Sequence, residues 1–217
     1  MGLLSKIFSN TRKPEGFFGK MMVNGMNGGG HAQMANWALS SVQIKEDGQI
    51  LDIGCGGGAN IARLLQHAPK GLVQGIDYSS VSVAKSSKVN AKAIAEGRCK
   101  VQEASVVKLP FEENTFDGAW CNCSVTNWIL KEELSNIIAD IKKIVKPHGI
   151  IFIGSVLGNF SGWEIDEKYD HLKRYNNHWR EDELKKSLAP IGNLINERTL
   201  TNTGKKDYLN LVYENEK

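Results

Sequence analysis

Ile50-Leu51-Asp52-Ile53-Gly54-Cys55-Gly56-Gly57-Gly58-Ala59-Asn60 is the stretch that decides how this chain folds. An apolar run meets a carboxylate, then four glycines in five positions, then a helix start. That order predicts a strand entering a tight turn whose backbone lies close to a bound group. Glycine permits the approach because no Cβ stands in the way. The bound group is expected to be a nucleotide-containing cofactor.

Downstream of this loop, strands and helices alternate. The spacing predicts strands at 50–53, 71–77, 100–104, 116–123 and 150–156. Ile61, Leu64, Leu65 and Ala68 mark one helix face, and Leu134, Ile137, Ile138, Ile141, Ile144 and Val145 mark another. Ser79 or Ser80 can cap the helix after the second strand, and Gly97 can stop it. Alternation of this kind argues for a parallel sheet covered on both faces. Residues 181–188 read as a short helix. Strands at 194–200 and 208–213, joined by polar turn residues, read as a closing hairpin. Residues 158–180 are aromatic and polar without a clear period. Residues 1–36 read as a glycine-broken N-terminal extension, a possible cover for cofactor or acceptor, followed by a helix around 32–42. The domain proper is expected at 37–217, with 158–180 as an acceptor-side insertion.

Length and composition fit one domain. The chain has 217 residues, 41% hydrophobic and 24% charged, with a net charge of +3. Basic residues are spread along it, and no nucleic-acid signal stands out. None of the four cysteines forms a CxxC pair or zinc spacing, so no metal site is expected. Reduced thiols and a cytoplasmic location follow as expectations. No apolar run is long enough to span a membrane, and no membrane partner is expected. The start nearly mimics a myristoylation signal, but the hydroxyl falls at Ser5 and Lys6 holds the required place.

Gly54-x-Gly56-x-x-Ala59, with Asp77 after the second strand, matches the dinucleotide fingerprint. Alone it is a weak signal, and a ligand-free glycine turn fits it too. Asp52 would repel a pyrophosphate and would favour a cofactor bearing an amine and a sulfonium. Leu109-Pro110-Phe111 through Phe116-Asp117, and Lys146-Pro147-His148-Gly149, add two further segments. As an ordered set from about 49 to 156, these resemble the class I S-adenosylmethionine-dependent methyltransferases. That resemblance implies a doubly wound, mostly parallel seven-stranded Rossmann-like sheet with an antiparallel C-terminal strand, and S-adenosylmethionine as cofactor.

The resemblance also implies roles. The loop of Gly54, Cys55, Gly56 and Gly58 would approach the homocysteine part, with Asp52 near its ammonium. Asp77 would take the ribose hydroxyls, with Tyr78 and Ser79 beside it and Tyr78 next to the adenine. Ser105 and Val106 would meet the adenine edge, where the family usually carries an acid. Cys121 and Asn122 would line the methionine side. Met26 to His31 and Trp37 resemble the leader of a bacterial and archaeal subset, which tends to carry aromatics where this chain has Ser124 to Trp128.

A base is needed only if the acceptor must lose a proton. The candidates are His31, Tyr169, His171, Tyr175 and His178, and His31 is favoured. Trp163, Tyr169, Tyr175 and Trp179 either wall an acceptor pocket or pin a long loop. His67 and His148 read as surface residues. Asn-Pro-Pro-Tyr is absent, so a small-molecule acceptor is the expectation. Two rivals stand beside methyl transfer: an NAD-dependent oxidoreductase, and a non-catalytic cofactor-binding module.

Overall fold

The computed structural model describes residues 2–26, 29–167, 171–201 and 206–217. Its centre is a seven-stranded sheet in the order β3-β2-β1-β4-β5-β9-β8. The strands are β1 (Gln49–Ile53), β2 (Leu72–Asp77), β3 (Cys99–Glu103), β4 (Phe116–Asn122), β5 (Val145–Val156), β8 (Gly192–Leu200) and β9 (Tyr208–Asn215). β1 pairs in parallel with β2 and with β4, so the order of strands reverses at β1. β9 runs antiparallel to both of its neighbours, β5 and β8. This is the sheet expected from the sequence.

Both sheet faces are buried, and adjacent residues serve opposite faces. Leu51, Ile53, Ile151, Ile153, Leu211 and Tyr213 join one core. Ile50, Phe152, Val212 and Trp120 join the other. Trp120 and Phe152 stack with centroids 3.9 Å apart. Helix α8 (Leu134–Ile144) buries Leu134, Ile137, Ile138, Ile141 and Ile144 of the predicted stripe against the first core, while Val145 opens β5 instead. Helix α9 (Glu181–Leu188) adds Leu184 and Leu188 to it. Helix α4 (Ala59–His67) buries Ile61, Leu64 and Leu65 on the opposite face. Helices α5 (Ser80–Val89) and α6 (Ala91–Ala95) connect β2 to β3, with Ser79 as N-cap accepting from the Ser82 N–H.

Three elements differ from expectation. β5 starts at Val145, five residues early, because Val145 pairs with Phe116 and a register shift follows. Residues 158–180 contain a two-stranded hairpin, β6 (Ser161–Asp166) and β7 (Leu172–Asn177). Its period was hidden because Trp163 and Ile165 are exposed while Asn177 is buried, the reverse of ordinary patterning. The extension is helical: α1 (Leu3–Phe8), α2 (Gly16–Met26) and α3 (Gly29–Leu39). A short helix α7 (Val125–Trp128) follows β4.

Candidate functional site

The glycine turn is stitched onto β2. The N–H groups of Gly54 and Cys55 both donate to the Ile76 carbonyl, at 2.8 and 3.0 Å. Gly56 has φ +51, and a Cβ built there would meet no atom within 4 Å. Its N–H donates to Asp77 Oδ2 at 3.0 Å. Asp77 Oδ1 accepts from the Ser79 N–H at 2.9 Å. One carboxylate thus fixes both the glycine turn and the start of α5. Gly58 does different work. A Cβ there would lie 2.4 Å from Ser86 Oγ and 2.6 Å from Asn90 Nδ2, and its φ is +80. That position is closed to larger residues by helix packing and by backbone conformation.

A cavity of about 610 Å³ opens at the carboxyl ends of β1, β2 and β4. This is the strand-reversal crevice where open α/β sheets hold ligands, and its size falls within the range of about 300–1,000 Å³ for ligand pockets. Of the residues expected from sequence, Gly54, Cys55, Gly56, Asp77, Tyr78, Ser105, Val106 and Asn122 line it. Asp52, Gly58, Ser79 and Cys121 stand behind the lining, and Cys123 lines the cavity. Position 31 lies in α3, but the His31 side chain falls outside the described residues; Met34, three residues on, lines the cavity.

Tyr169 also falls outside the described residues. Tyr175 and Trp179 are buried, and Trp163 is exposed. Trp179 Nε1 and Asn177 Nδ2 donate to the Thr126 carbonyl at 2.9 and 3.0 Å, and Asn177 Nδ2 also reaches the Ile129 carbonyl. These side chains pin the insertion to α7, so the loop-pinning reading describes them. His171 is exposed at the start of β7. His178 Nε2 lies 2.6 Å from Lys206 Nζ. His148 pairs with Glu214 on the surface.

Sequence reading missed several lining residues. Phe8, Thr11, Arg12, Pro14 and Met22 come from the extension; Ile129, Glu133, Val156 and Tyr208 come from the body of the domain. Position in the chain gives no sign that residues near the start fold back over β2. Two bonds hold them there. Tyr78 Oη donates to the Arg12 carbonyl, and Ser79 Oγ donates to the Pro14 carbonyl at 2.5 Å. The Arg12 guanidinium lies 5.7 Å from the Tyr175 ring, so extension and insertion meet.

Burial dominates the electrostatics. Asp52 is pushed up to about 8, first by desolvation and then by the charge of Asp77. Its Oδ2 is buried without a hydrogen-bond partner. Asp77 is also raised by burial, against the lowering effect of the Ser79 and Gly56 N–H bonds. Burial pushes the Cys123 thiol up to about 12, so it stays protonated and is a poor nucleophile. Asn122 Oδ1 is likewise buried without a partner at the cavity. The orphaned Asn122 acceptor beside an open glycine turn suits a ligand that carries a hydrogen-bond donor.

Fold and site together resemble those of the class I S-adenosylmethionine-dependent methyltransferases, and the matches below support S-adenosylmethionine as the cofactor. Residues 50–149 match the family model described as a methyltransferase domain. The chain is 31% identical over 139 residues to 24-methylenesterol C-methyltransferase 3 of Arabidopsis thaliana, a stretch covering 64% of this chain and 35% of that enzyme. The chain therefore spans about a third of that relative's length. Among solved structures, a SAM-dependent methyltransferase of Methanosarcina mazei superposes with a TM-score of 0.68 at 21% identity, covering 80% of this chain and 95% of that one. A geranyl diphosphate methyltransferase complex with GPP and sinefungin gives 0.66 at 13% identity, covering 85% and 77%. These two likenesses establish the fold. The nicotinamide alternative finds no support among them.

Proposed function

We propose that the protein transfers a methyl group from S-adenosylmethionine to a small acceptor with an apolar body. One observation carries the reading: the cavity lined by the open glycine turn and Asp77 is also lined by the apolar side chains of Met22, Met34, Trp128, Ile129 and Val156. When bound, the cofactor supplies an electrophilic methyl group on a sulfonium. The chain's own work is alignment and exclusion of water. Asp77, preset by two backbone N–H bonds, keeps lone pairs for the ribose hydroxyls. Tyr78, Ser105 and Val106 flank the adenine, and Asn122 faces the methionine end. Asp52, buried behind the turn and protonated in the free protein, would be drawn toward its charged form by the cofactor's cationic groups. His31 takes a proton where the acceptor must lose one; Met34 on the cavity wall one turn later supports that placement. Residues 1–36 act as the cover.

Calorimetry tests the cofactor half. S-adenosylhomocysteine should bind and NAD should not. Asp77→Ala should weaken S-adenosylhomocysteine roughly ten- to a hundredfold, because a hydrogen bond to a charged group contributes about 1.5–3 kcal/mol. Unchanged affinity would remove Asp77 from the ribose. Transfer of labelled methyl from the cofactor into an organic-soluble metabolite fraction tests the acceptor half. Tight cofactor binding with no transfer to any fraction would favour the non-catalytic module.

A further inference from the structure

The outer surface of the cavity's cover has no role in the methyl-transfer reading, and it is unusual in two respects. The first is charge. The net +3 of the chain resides in its first 36 residues, where Lys6, Arg12, Lys13 and Lys20 outnumber the lone acid Glu15, which pairs with Lys13 at 3.1 Å. The second is exposed apolar area. Leu3 and Leu4 on α1, Phe17 and Met21 on α2, and Trp163 and Ile165 on the β6–β7 hairpin are all open to solvent. Phe17 is 70% exposed and Ile165 64%. On α2, Phe17, Lys20, Met21 and Asn24 are all exposed at helical spacing, an outward stripe that mixes apolar and basic groups. Single exposed apolar residues need no explanation, but a gathering of them on adjoining segments does.

These segments are neighbours. Helices α1 and α2 of the extension pack on each other. Arg12 bridges to Tyr175, whose ring lies 5.7 Å from its cross-strand partner Trp163 on the same face of the hairpin. The same extension presents Phe8, Arg12, Pro14 and Met22 to the cavity. The extension thus turns Phe8, Pro14 and Met22 with Arg12 toward the cavity and carries apolar with basic groups outside. A lysine-bearing surface that also exposes leucine, phenylalanine and tryptophan matches an anionic bilayer: the cations meet headgroup phosphates and the apolar side chains enter the acyl boundary.

We propose that the α1–α2 extension and the β6–β7 hairpin form a docking face for an anionic lipid bilayer, which sets the wall of the cavity against the membrane surface. No spanning segment is required: among the described residues no helix is long and apolar enough to cross a membrane. The proposal stands apart from the chemistry of transfer, because bilayer docking is read without cofactor or acceptor.

Co-sedimentation of the full chain with vesicles tests it. Vesicles of phosphatidylcholine mixed with phosphatidylglycerol should capture the protein, vesicles of phosphatidylcholine alone should capture far less, and added salt should release it. Lys6→Gln, Lys13→Gln and Lys20→Gln should each lower partitioning about fivefold, from roughly 1 kcal/mol per basic residue at a charged surface. Phe17→Ser with Trp163→Ser should lower it further while leaving S-adenosylhomocysteine binding intact, which shows that the variant is folded. Equal capture by the two vesicle types, or variants that partition like the unaltered protein, would overturn the proposal. So would a dimer in solution that Phe17→Ser splits, since the apolar face would then be covered by a second copy.

Discussion

Asp52 and Asp77 sit at the ends of neighbouring strands and meet different fates. Asp77 Oδ1 and Oδ2 each receive a backbone N–H, whereas Asp52 Oδ2 is buried with none. The proton on Asp52 therefore couples to folding. Its folded value is raised from 3.8 to about 8, so the native state holds a proton that the unfolded chain releases. The stabilisation is complete below about 4 and is lost as pH rises through that window toward 8, at about 1.4 kcal/mol per pH unit. Asp77, also raised, adds in the same direction. Asp52→Asn removes the main titration, so the cofactor-free variant should show a flatter fall in melting temperature across that window. Parallel curves for variant and parent would mean that Asp52 ionises normally. Neither effect is visible in the sequence, where both residues read as ligand contacts. Burial behind the turn is what separates Asp52, which does not line the cavity, from Asp77, which does.

At the scale of elements, legibility followed the strength of periodic burial. The parallel strands and α8 were readable because both faces of the sheet are packed with apolar side chains at fixed intervals. The β6–β7 hairpin was not, since its anchors are an asparagine and a tryptophan whose task is to satisfy carbonyls. Asn177 and Trp179 hold α7 at the Thr126 carbonyl, and Thr126 Oγ1 in turn donates to the Gly154 carbonyl at 3.1 Å. Since Val125, Asn127 and Trp128 of α7 line the cavity, the insertion shapes the site from behind. Asn177→Ala leaves the Ile129 carbonyl without that donor. The expected cost is about 1–3 kcal/mol in urea denaturation, with weakened acceptor turnover and nearly unchanged cofactor affinity. An unaltered denaturation midpoint would show that α7 is held by packing alone.

At the scale of the molecule, the extension and the domain meet over the second strand. Sequence reading treated residues 1–36 as an appendage and as a possible cover, because nothing local in that stretch says where it lands. The landing is determined by long-range bonds from Tyr78 and Ser79 to main-chain carbonyls of Arg12 and Pro14. Ser79 is 1% exposed beneath that strap, so a cofactor seated against Asp77 and Tyr78 would be enclosed on its ribose and adenine side. Escape would then require the strap to lift. Tyr78→Phe keeps the ring that we propose flanks the adenine and removes the hydroxyl that ties Arg12 down. The net contribution of such a bond, about 0.5–1.5 kcal/mol, predicts a dissociation rate of S-adenosylhomocysteine roughly two- to tenfold faster. Stopped-flow displacement by excess unlabelled ligand measures it. Association should accelerate as well, since the same opening admits the ligand, so the rates should change more than the equilibrium affinity. If only affinity falls while association is unchanged, the tyrosine hydroxyl contacts the ligand itself and the strap is no barrier.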